Sequence, residues 1–280
     1  MTGTLYLVPT PLGNLGDISR RQAETLAAVD FVAAEDTRVS IKLLNHLDIK
    51  KPLVSYHEHN KAGGGRRILE RLLAGENCAI VTDAGTPAIS DPGEDLVRMA
   101  AESGVPVVSI PGPCAAITAL AASGMPTGRF TFEGFLSMTK KTRRERLAEL
   151  KGEQRTMIFY EAPHKLVYTL ADMLEAWGDR GLCIARELTK LNEEVLRTTL
   201  SAALEKYRET PPRGEFVLII SGAEPEAPSA TLEDALERVE ALRASGMKLR
   251  DASRAAAEET GLSRNEIYNA ALRSSGDGIE

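Results

Sequence analysis

Three cysteines in 280 residues, Cys78, Cys114 and Cys183, are too scattered and odd in number for a disulfide framework or a zinc-type ligand set. They are expected as reduced, mostly buried thiols of a cytoplasmic protein. No run of eighteen apolar residues occurs, so no membrane span is expected. Met1 to Val8 carries no basic segment ahead of an apolar one and reads directly as a strand, so no secretory signal is expected. Excess positive charge is missing as well. The net charge of −6 argues against a surface that holds polyanions indiscriminately. Neither G-x-G-x-x-G nor a Walker phosphate loop is present, and no segment recurs at a repeat-protein period.

What is present is the composition of a soluble globular protein, 43% hydrophobic and 26% charged, long enough for two domains and a small appendage. The first 110 residues alternate apolar strands (Thr4–Val8, Phe31–Ala34, Leu53–Tyr56, Cys78–Val81, Val105–Ile110) with helices near 19–29, 41–47, 66–73 and 95–101. That alternation predicts a parallel sheet covered on both faces. Pro111-Gly112-Pro113 opens a small-residue helix, 115–122. Strands at 130–132, 157–160, 182–186, 194–198 and 216–220 follow, with two substantial helices between them. The short spacing from Glu187 to Asn192 demands an antiparallel hairpin, so this second sheet is mixed. The expected fold is α/β: an N-terminal domain over 1–112, a second over 113–222, a linker over 223–230 and an all-helical tail over 231–280. Thr231 caps the first tail helix, and the turn Thr260-Gly261-Leu262 before Ser263 has the form of a helix-turn-helix.

The most informative run is Val81 to Gly93, where a buried strand ends in Asp83 and a loop with two prolines and two glycines follows. At the carboxyl end of a parallel strand such a loop faces the ligand crevice of open α/β sheets. Asp83 can accept hydrogen bonds from a ligand's hydroxyl or ammonium groups, and Gly85 allows close backbone approach. The loop Pro9–Asp17 occupies the position of a nucleotide fingerprint, but its prolines disfavour wrapping a pyrophosphate; a smaller adenosine ligand is compatible with it. Glu35-Asp36-Thr37-Arg38 and Tyr56-His57-Glu58-His59-Asn60 end neighbouring strands on the same edge and bring groups that bind substrate or move a proton. The alternative reading of Glu35–Arg38 is a helix cap with a first-turn salt bridge. His57 and His59 lack an evident third ligand, so no metal is expected. Thr139 to Arg155 carries seven basic residues against three acids, either a solvated helix face or a phosphate contact.

Taken in order, these motifs, with Pro111–Pro113, Phe159-Tyr160-Glu161-Ala162-Pro163-His164 and Arg186-Glu187-Leu188-Thr189-Lys190, resemble the ribosomal-RNA-methylating branch of the tetrapyrrole methylase (class III) superfamily. The likeness covers about residues 3–222, and the tail matches an appendage of many members. It implies S-adenosylmethionine as methyl donor, bound in a cleft between two α/β domains, and a homodimer. It implies methylation of a cytidine 2′-hydroxyl in the decoding region of 16S rRNA, within the 30S subunit. Carried over by position, donor contacts fall on Leu12, Gly13, Asp83, Thr86, Cys114 and Ala115. Cys114 stands where relatives often have Ser, and Lys61 where an acid is common. Methyl transfer to a hydroxyl requires a destination for its proton, and Glu35, Asp36, His57 and Lys190 are the candidates, with no choice among them. Two other readings compete: a class III methyltransferase acting on a tetrapyrrole or another small or protein substrate, and a non-catalytic nucleic-acid-binding regulator using the helix-turn-helix.

Overall fold

The computed structural model describes residues 1–224 and 230–274, which fall into two compact units, Met1–Ala223 and Glu224–Glu280. Most of the expected linker, and residues 275–280 of the expected tail, lie outside the described residues.

The first unit contains two five-stranded sheets. Strands β1 (Leu5–Leu7), β2 (Phe31–Ala34), β3 (Leu53–Ser55), β4 (Cys78–Val81) and β5 (Val107–Ser109) form a parallel sheet in the order β3-β2-β4-β1-β5. The near-continuous apolar strands follow from burial on both faces. Phe31, Ala33, Cys78 and Ile80 pack under α3 (Lys61–Leu73) and α4 (Glu94–Glu102), whereas Val32, Ala34, Ala79 and Val81 face α1 (Arg20–Ala28) and α2 (Thr37–His46). Two boundaries differ from the sequence expectation. Helix α2 begins at Thr37 because Asp36 caps it, its side chain accepting the Arg38 backbone N–H. Helix α3 begins at Lys61, ahead of three glycines whose low helix propensity hides the start.

Helix α5 (Ala115–Ser123) leads into the second sheet, of β6 (Phe130–Phe135), β7 (Thr156–Glu161), β8 (Gly181–Arg186), β9 (Glu194–Thr199) and β10 (Phe216–Ile220). Its order is β6-β7-β10-β8-β9, with β6 parallel to β7 and the other neighbours antiparallel. The sheet is mixed, as the hairpin spacing requires. Helix α5 covers one face through Ala116, Ala119 and Leu120. The other face carries three helices where two were expected: α6 (Lys140–Glu149), α7 (Pro163–Trp177) and α8 (Leu200–Glu209). Helix α6 escapes an apolar count because it buries only Leu147 and, unusually, Arg143. Strand β6 slips register between Phe132 and Gly134, and Gly134 adopts φ +63° there. This is a β-bulge with Glu133 as the extra residue.

The described residues of the second unit form a three-helix module of α9 (Leu232–Ala244), α10 (Leu249–Thr260) and α11 (Arg264–Ser274) around Ala235, Val239, Ala252, Ala256 and Ile267. Thr231 and Asp234 form a reciprocal capping box on α9, and Gly261 closes α10 at φ +73°. Its charge is balanced, eight acids against seven bases over 231–274. No helix among the described residues is long and apolar enough to cross a membrane.

Candidate active site

The carboxyl ends of β1, β2 and β4 and the loops after them meet the start of α5 and strands β7, β8 and β10 at a cleft of about 340 Å³. Its walls are built from the local rules that shape the loops. Gln22 completes a capping box with Ser19 at the start of α1 and reaches back to donate from Nε2 to the Pro9 carbonyl at 3.0 Å. A Cβ on Gly112 would lie 2.4 Å from that Nε2 and 2.8 Å from Pro9 Cβ, so only glycine lets the crossing chain pass here. Thr10 and Gly85 exchange backbone hydrogen bonds at 2.8 and 3.0 Å, and Thr10 Oγ1 donates to the Thr82 carbonyl at 3.0 Å. Thr86 Oγ1 donates to the Pro113 carbonyl at 2.7 Å. The β1, β4 and β5 loops are thereby fastened to one another.

The loop after β4 carries backbone strain. Gly85 sits at φ +89°, and the non-glycine residues Ala88 and Ser90 at +65° and +70°. Such conformations persist only where surrounding contacts over-determine them, and they concentrate at functional sites.

Of the sequence candidates, Leu12, Glu35, Asp83, Thr86, Cys114 and Ala115 line the cleft. Gly13, Asp36, His57 and Lys190 do not, although three of them lie against its walls. Lys190 crosses Gly13, its Cγ 2.4 Å from where a Gly13 Cβ would stand, and pairs with Glu187 at 2.9 Å and Glu215 at 3.0 Å. Burial works against the Lys190 charge, but these two carboxylates outweigh it and raise the ammonium above its ordinary value. Asp36 donates its backbone N–H to Asp83 Oδ1 at 3.2 Å, while its own carboxylate, bonded by Arg38, is held down at about 2. His57 follows the edge strand β3; its backbone N–H goes to Asn60 Oδ1 at 2.8 Å and its ring stands edge-on to His59, centroids 6.0 Å apart. No group of three or more His, Cys, Asp or Glu able to hold a metal ion occurs among the described residues.

The cleft also holds groups that the sequence reading passed over. Asp91 lines it, eight residues after Asp83 in the same loop. Burial pushes the Asp91 carboxyl up to about 6; the Thr82 hydroxyl pulls it down, and repulsion from Glu35 and Asp83 adds to the rise. Asp83 is raised for the same first reason, burial, and then by Glu35. Thr82 Oγ1 donates to Glu35 Oε2 at 2.7 Å. Opposite, Tyr160 accepts the Ala116 N–H at 3.1 Å, and burial pushes its phenol up to about 12. The Phe132 and Phe135 rings meet Tyr160 edge-on at 5.1 and 5.5 Å, and Phe135, 55% exposed, forms the rim. Asp91 was visible in the sequence but lay in Ser-Asp-Pro-Gly, where an acid reads as turn chemistry. The bulge that brings Phe135 inward had no sequence signal beyond Gly134.

The basic segment reads differently in three dimensions. Arg143 and Arg144 pair with Asp172, Arg144 also with Glu175, and Arg146 with Glu133 and Glu149. Three of the cations expected to meet phosphate are thus engaged within the protein. Lys141 approaches Glu145 only at 3.9 Å, and no ion pair involves Lys140 among the described residues.

Comparison with known proteins places this architecture. The family described as tetrapyrrole (corrin/porphyrin) methylases matches residues 4–204, and that described as RsmI C-terminal HTH domain matches 230–275. Ribosomal RNA small subunit methyltransferase I of Synechocystis is 49% identical over 278 residues, covering 99% of this chain and all of that protein. The Bacillus subtilis protein of that name is 45% identical, covering 96% and 94%. Among solved structures, diphthine synthase superposes with a TM-score of 0.61 at 14% identity, over 79% of this chain and 90% of that one. Uroporphyrin-III C-methyltransferase from Thermus thermophilus, complexed with S-adenosyl homocysteine, gives 0.54 at 19% identity, over 78% and 97%. The chain belongs to the tetrapyrrole methylase family, and within it to the ribosomal RNA small subunit methyltransferase I enzymes.

Proposed function

We propose that the chain transfers the methyl group of S-adenosylmethionine to the 2′-hydroxyl of a cytidine in the decoding region of 16S rRNA, acting on the 30S subunit. The observation that carries this reading is 49% identity with a small subunit rRNA methyltransferase over 99% of the chain, an extent that takes in the helical tail. The nucleotide and its hydroxyl rest on the motif resemblance.

The cleft fits the donor. The sulfonium and amino group are cationic, which suits a cavity lined by Glu35, Asp83 and Asp91. A carboxylate suits the N-terminus of α5, where Cys114 and Ala115 line the cleft and the cap residue makes no side-chain hydrogen bond to the first turn. Leu12, Leu188 and Val217 offer apolar surface for an adenine. Asp83, with an oxygen not committed to Asp36, is assigned to the donor's hydroxyl or ammonium groups, Thr86 and Gly13 to shaping the loops around it. When bound, the donor supplies an electrophilic methyl with a neutral thioether as leaving group. The protein's task is then chiefly alignment, which the fastened loops perform.

We read residues 1–112 and 113–222 as the two α/β domains flanking this cleft, and the protein as a cytoplasmic homodimer in keeping with the superfamily. Incubating the enzyme with 30S subunits and labelled S-adenosylmethionine, then mapping the label, tests the substrate assignment. Label on a base, on another RNA or nowhere in the subunit refutes it. The second reading, a tetrapyrrole or other small substrate, draws on the fold neighbours. It requires transfer to a free small molecule in the same assay.

A further inference from the structure

Lys190 does not line the cleft, yet the chain is shaped around it. Its stem crosses the loop after β1 at Gly13, where a Cβ would stand 2.4 Å from Lys190 Cγ and 3.0 Å from Cε. Its ammonium meets Glu187 Oε1 at 2.9 Å and Glu215 Oε2 at 3.0 Å. Glu187 Oε1 also accepts the Glu215 backbone N–H at 3.0 Å, so the two acids are tied to each other. A second glycine makes room for this arrangement: a Cβ on Gly214, at φ +89°, would lie 2.5 Å from Glu187 Cγ. Glu187 and Thr189 take left-handed conformations, φ +52° and +65°, which are costly without glycine and persist only where contacts over-determine them. The glycines and the strained turn thus serve the placing of one lysine side chain.

Each corner of this cluster adjoins a wall of the cleft. Leu12 precedes Gly13, Leu188 stands between Glu187 and Lys190, and Phe216 follows Glu215; Leu12, Leu188, Glu215 and Phe216 all line the cavity. Leu12 and Leu188 also pack in one apolar cluster. We infer that Lys190 is a positioning residue of the methyl-transfer site, its carboxylate-held stem bracing the loop after β1 against the second sheet so that Leu12 and Leu188 stand ready for the donor. This rests on the reading above that the donor occupies this cleft. The apolar stem supplies the packing, and the two acids fix where it lies. Freed from them, the side chain would spread over many rotamers, and the donor would have to order the loop as it binds. The ammonium is engaged by two carboxylates outside the cavity, so its contribution falls on donor binding and not on the chemical step.

The test is S-adenosylmethionine affinity by calorimetry, with single-turnover transfer to 30S subunits at saturating donor measured separately. Lys190→Met keeps an apolar stem and removes the charge; it should weaken donor binding about tenfold and leave the saturated rate within about threefold. Lys190→Arg, which can still bond the acids, should restore part of the affinity. Gly13→Ala reaches the same contact from the other side and should also weaken the donor, by displacing the stem. In Lys190→Ala the added methyl group has room, so Gly13→Ala should cost that variant little more. Unchanged donor affinity in Lys190→Met would overturn the assignment, and a saturated rate lost at the same time would make Lys190 a reacting group. Losses at 13 and 190 that simply add would overturn it too, since the two positions would then act separately. The binding measurements need no RNA and stand whatever the methyl acceptor is. Wild-type affinity in Asp83→Ala would instead move the donor out of this cleft and remove the reading beneath the inference.

Discussion

Arg143 of α6 and Asp172 of α7 form a buried ion pair, Nη2 to Oδ2 2.7 Å, with side chains only 10% and 6% exposed. Arg143 Nη1 also donates to the Ser137 and Met138 carbonyls, and the second Asp172 oxygen accepts from Arg144 Nε at 2.9 Å. The densest positive charge in the chain therefore clamps a helix to the second sheet's outer layer. Removing one partner strands the other in an apolar setting. Asp172→Ala should cost about 3–5 kcal/mol in urea unfolding. Donor affinity should be unchanged in whatever fraction remains folded.

The same geometry separates the basic residues by role. Reversing Arg143, Arg144 and Arg146 should unfold the protein before it says anything about RNA. Reversing Lys140 and Lys141, which are exposed, should alter stability by no more than about 0.5 kcal/mol. If these two meet phosphate, the logarithmic salt slope of 30S binding should fall by about 1 to 2.

Deleting residues 231–280 should leave S-adenosylmethionine affinity unchanged, since the cleft is lined wholly by residues of the first unit. Activity on 30S subunits should fall at least about tenfold, some 1.4 kcal/mol. The balanced charge of the tail predicts that its loss leaves the salt slope nearly intact. Filter binding across a salt series distinguishes this outcome from an electrostatic tail.

Asp83→Ala should weaken S-adenosylmethionine binding at least tenfold, about 1.4 kcal/mol, with little effect on the fold. Calorimetry giving wild-type affinity would remove Asp83 from the donor site.

Asp91 has a stability signature. Its folded carboxyl titrates at about 6 against 3.8 for the ordinary value, so between those limits the folded state binds more protons than the unfolded one. Stability is therefore lost as pH rises through that window, and the loss is complete above it. After allowance for residual solvent at the group, the penalty is about 1–2 kcal/mol. Asp91→Asn should raise the melting temperature of the ligand-free enzyme at pH 8 and leave it nearly unchanged at pH 3. A mutant that is no more stable at pH 8 would contradict the raised titration.

The strands of both sheets were legible because burial on two faces writes itself as short apolar runs between turn residues, as in Phe31–Ala34 and Cys78–Val81. The hairpin at Glu187–Asn192 followed from chain length alone. Helix α6 was obscured because its buried contacts are an arginine and one leucine, and the partner that makes Arg143 an interior residue lies 29 positions away. The site divided along the same line. Asp83, Thr86, Leu12 and Cys114 sit where strand ends and loop positions point, which a sequence carries locally. That Lys190 turns to Glu187 and Glu215, and that the charge of Glu35 bears on Asp91, depends on side chains converging from separate loops.

The bulge in β6 has a consequence for how length changes are tolerated. In a regular strand residues three apart project to opposite faces. The extra residue at Glu133 instead puts Phe132 opposite Ile158 and Phe135 opposite Tyr160, both on the face that packs against the Tyr160 ring. The aromatic rim thus depends on the bulge, and on Gly134 that permits it, as much as on the aromatic residues themselves. A substitution at Gly134 that resists φ +63° would favour regular pairing and turn Phe135 away from the cleft while every aromatic side chain survived. It would also straighten β6 into a flatter, unkinked edge strand, open to pairing with another chain. Deleting Glu133 would instead leave Phe132 and Phe135 two apart on one face of a regular strand, so along this stretch a one-residue deletion should prove milder than a substitution that forbids the bulge.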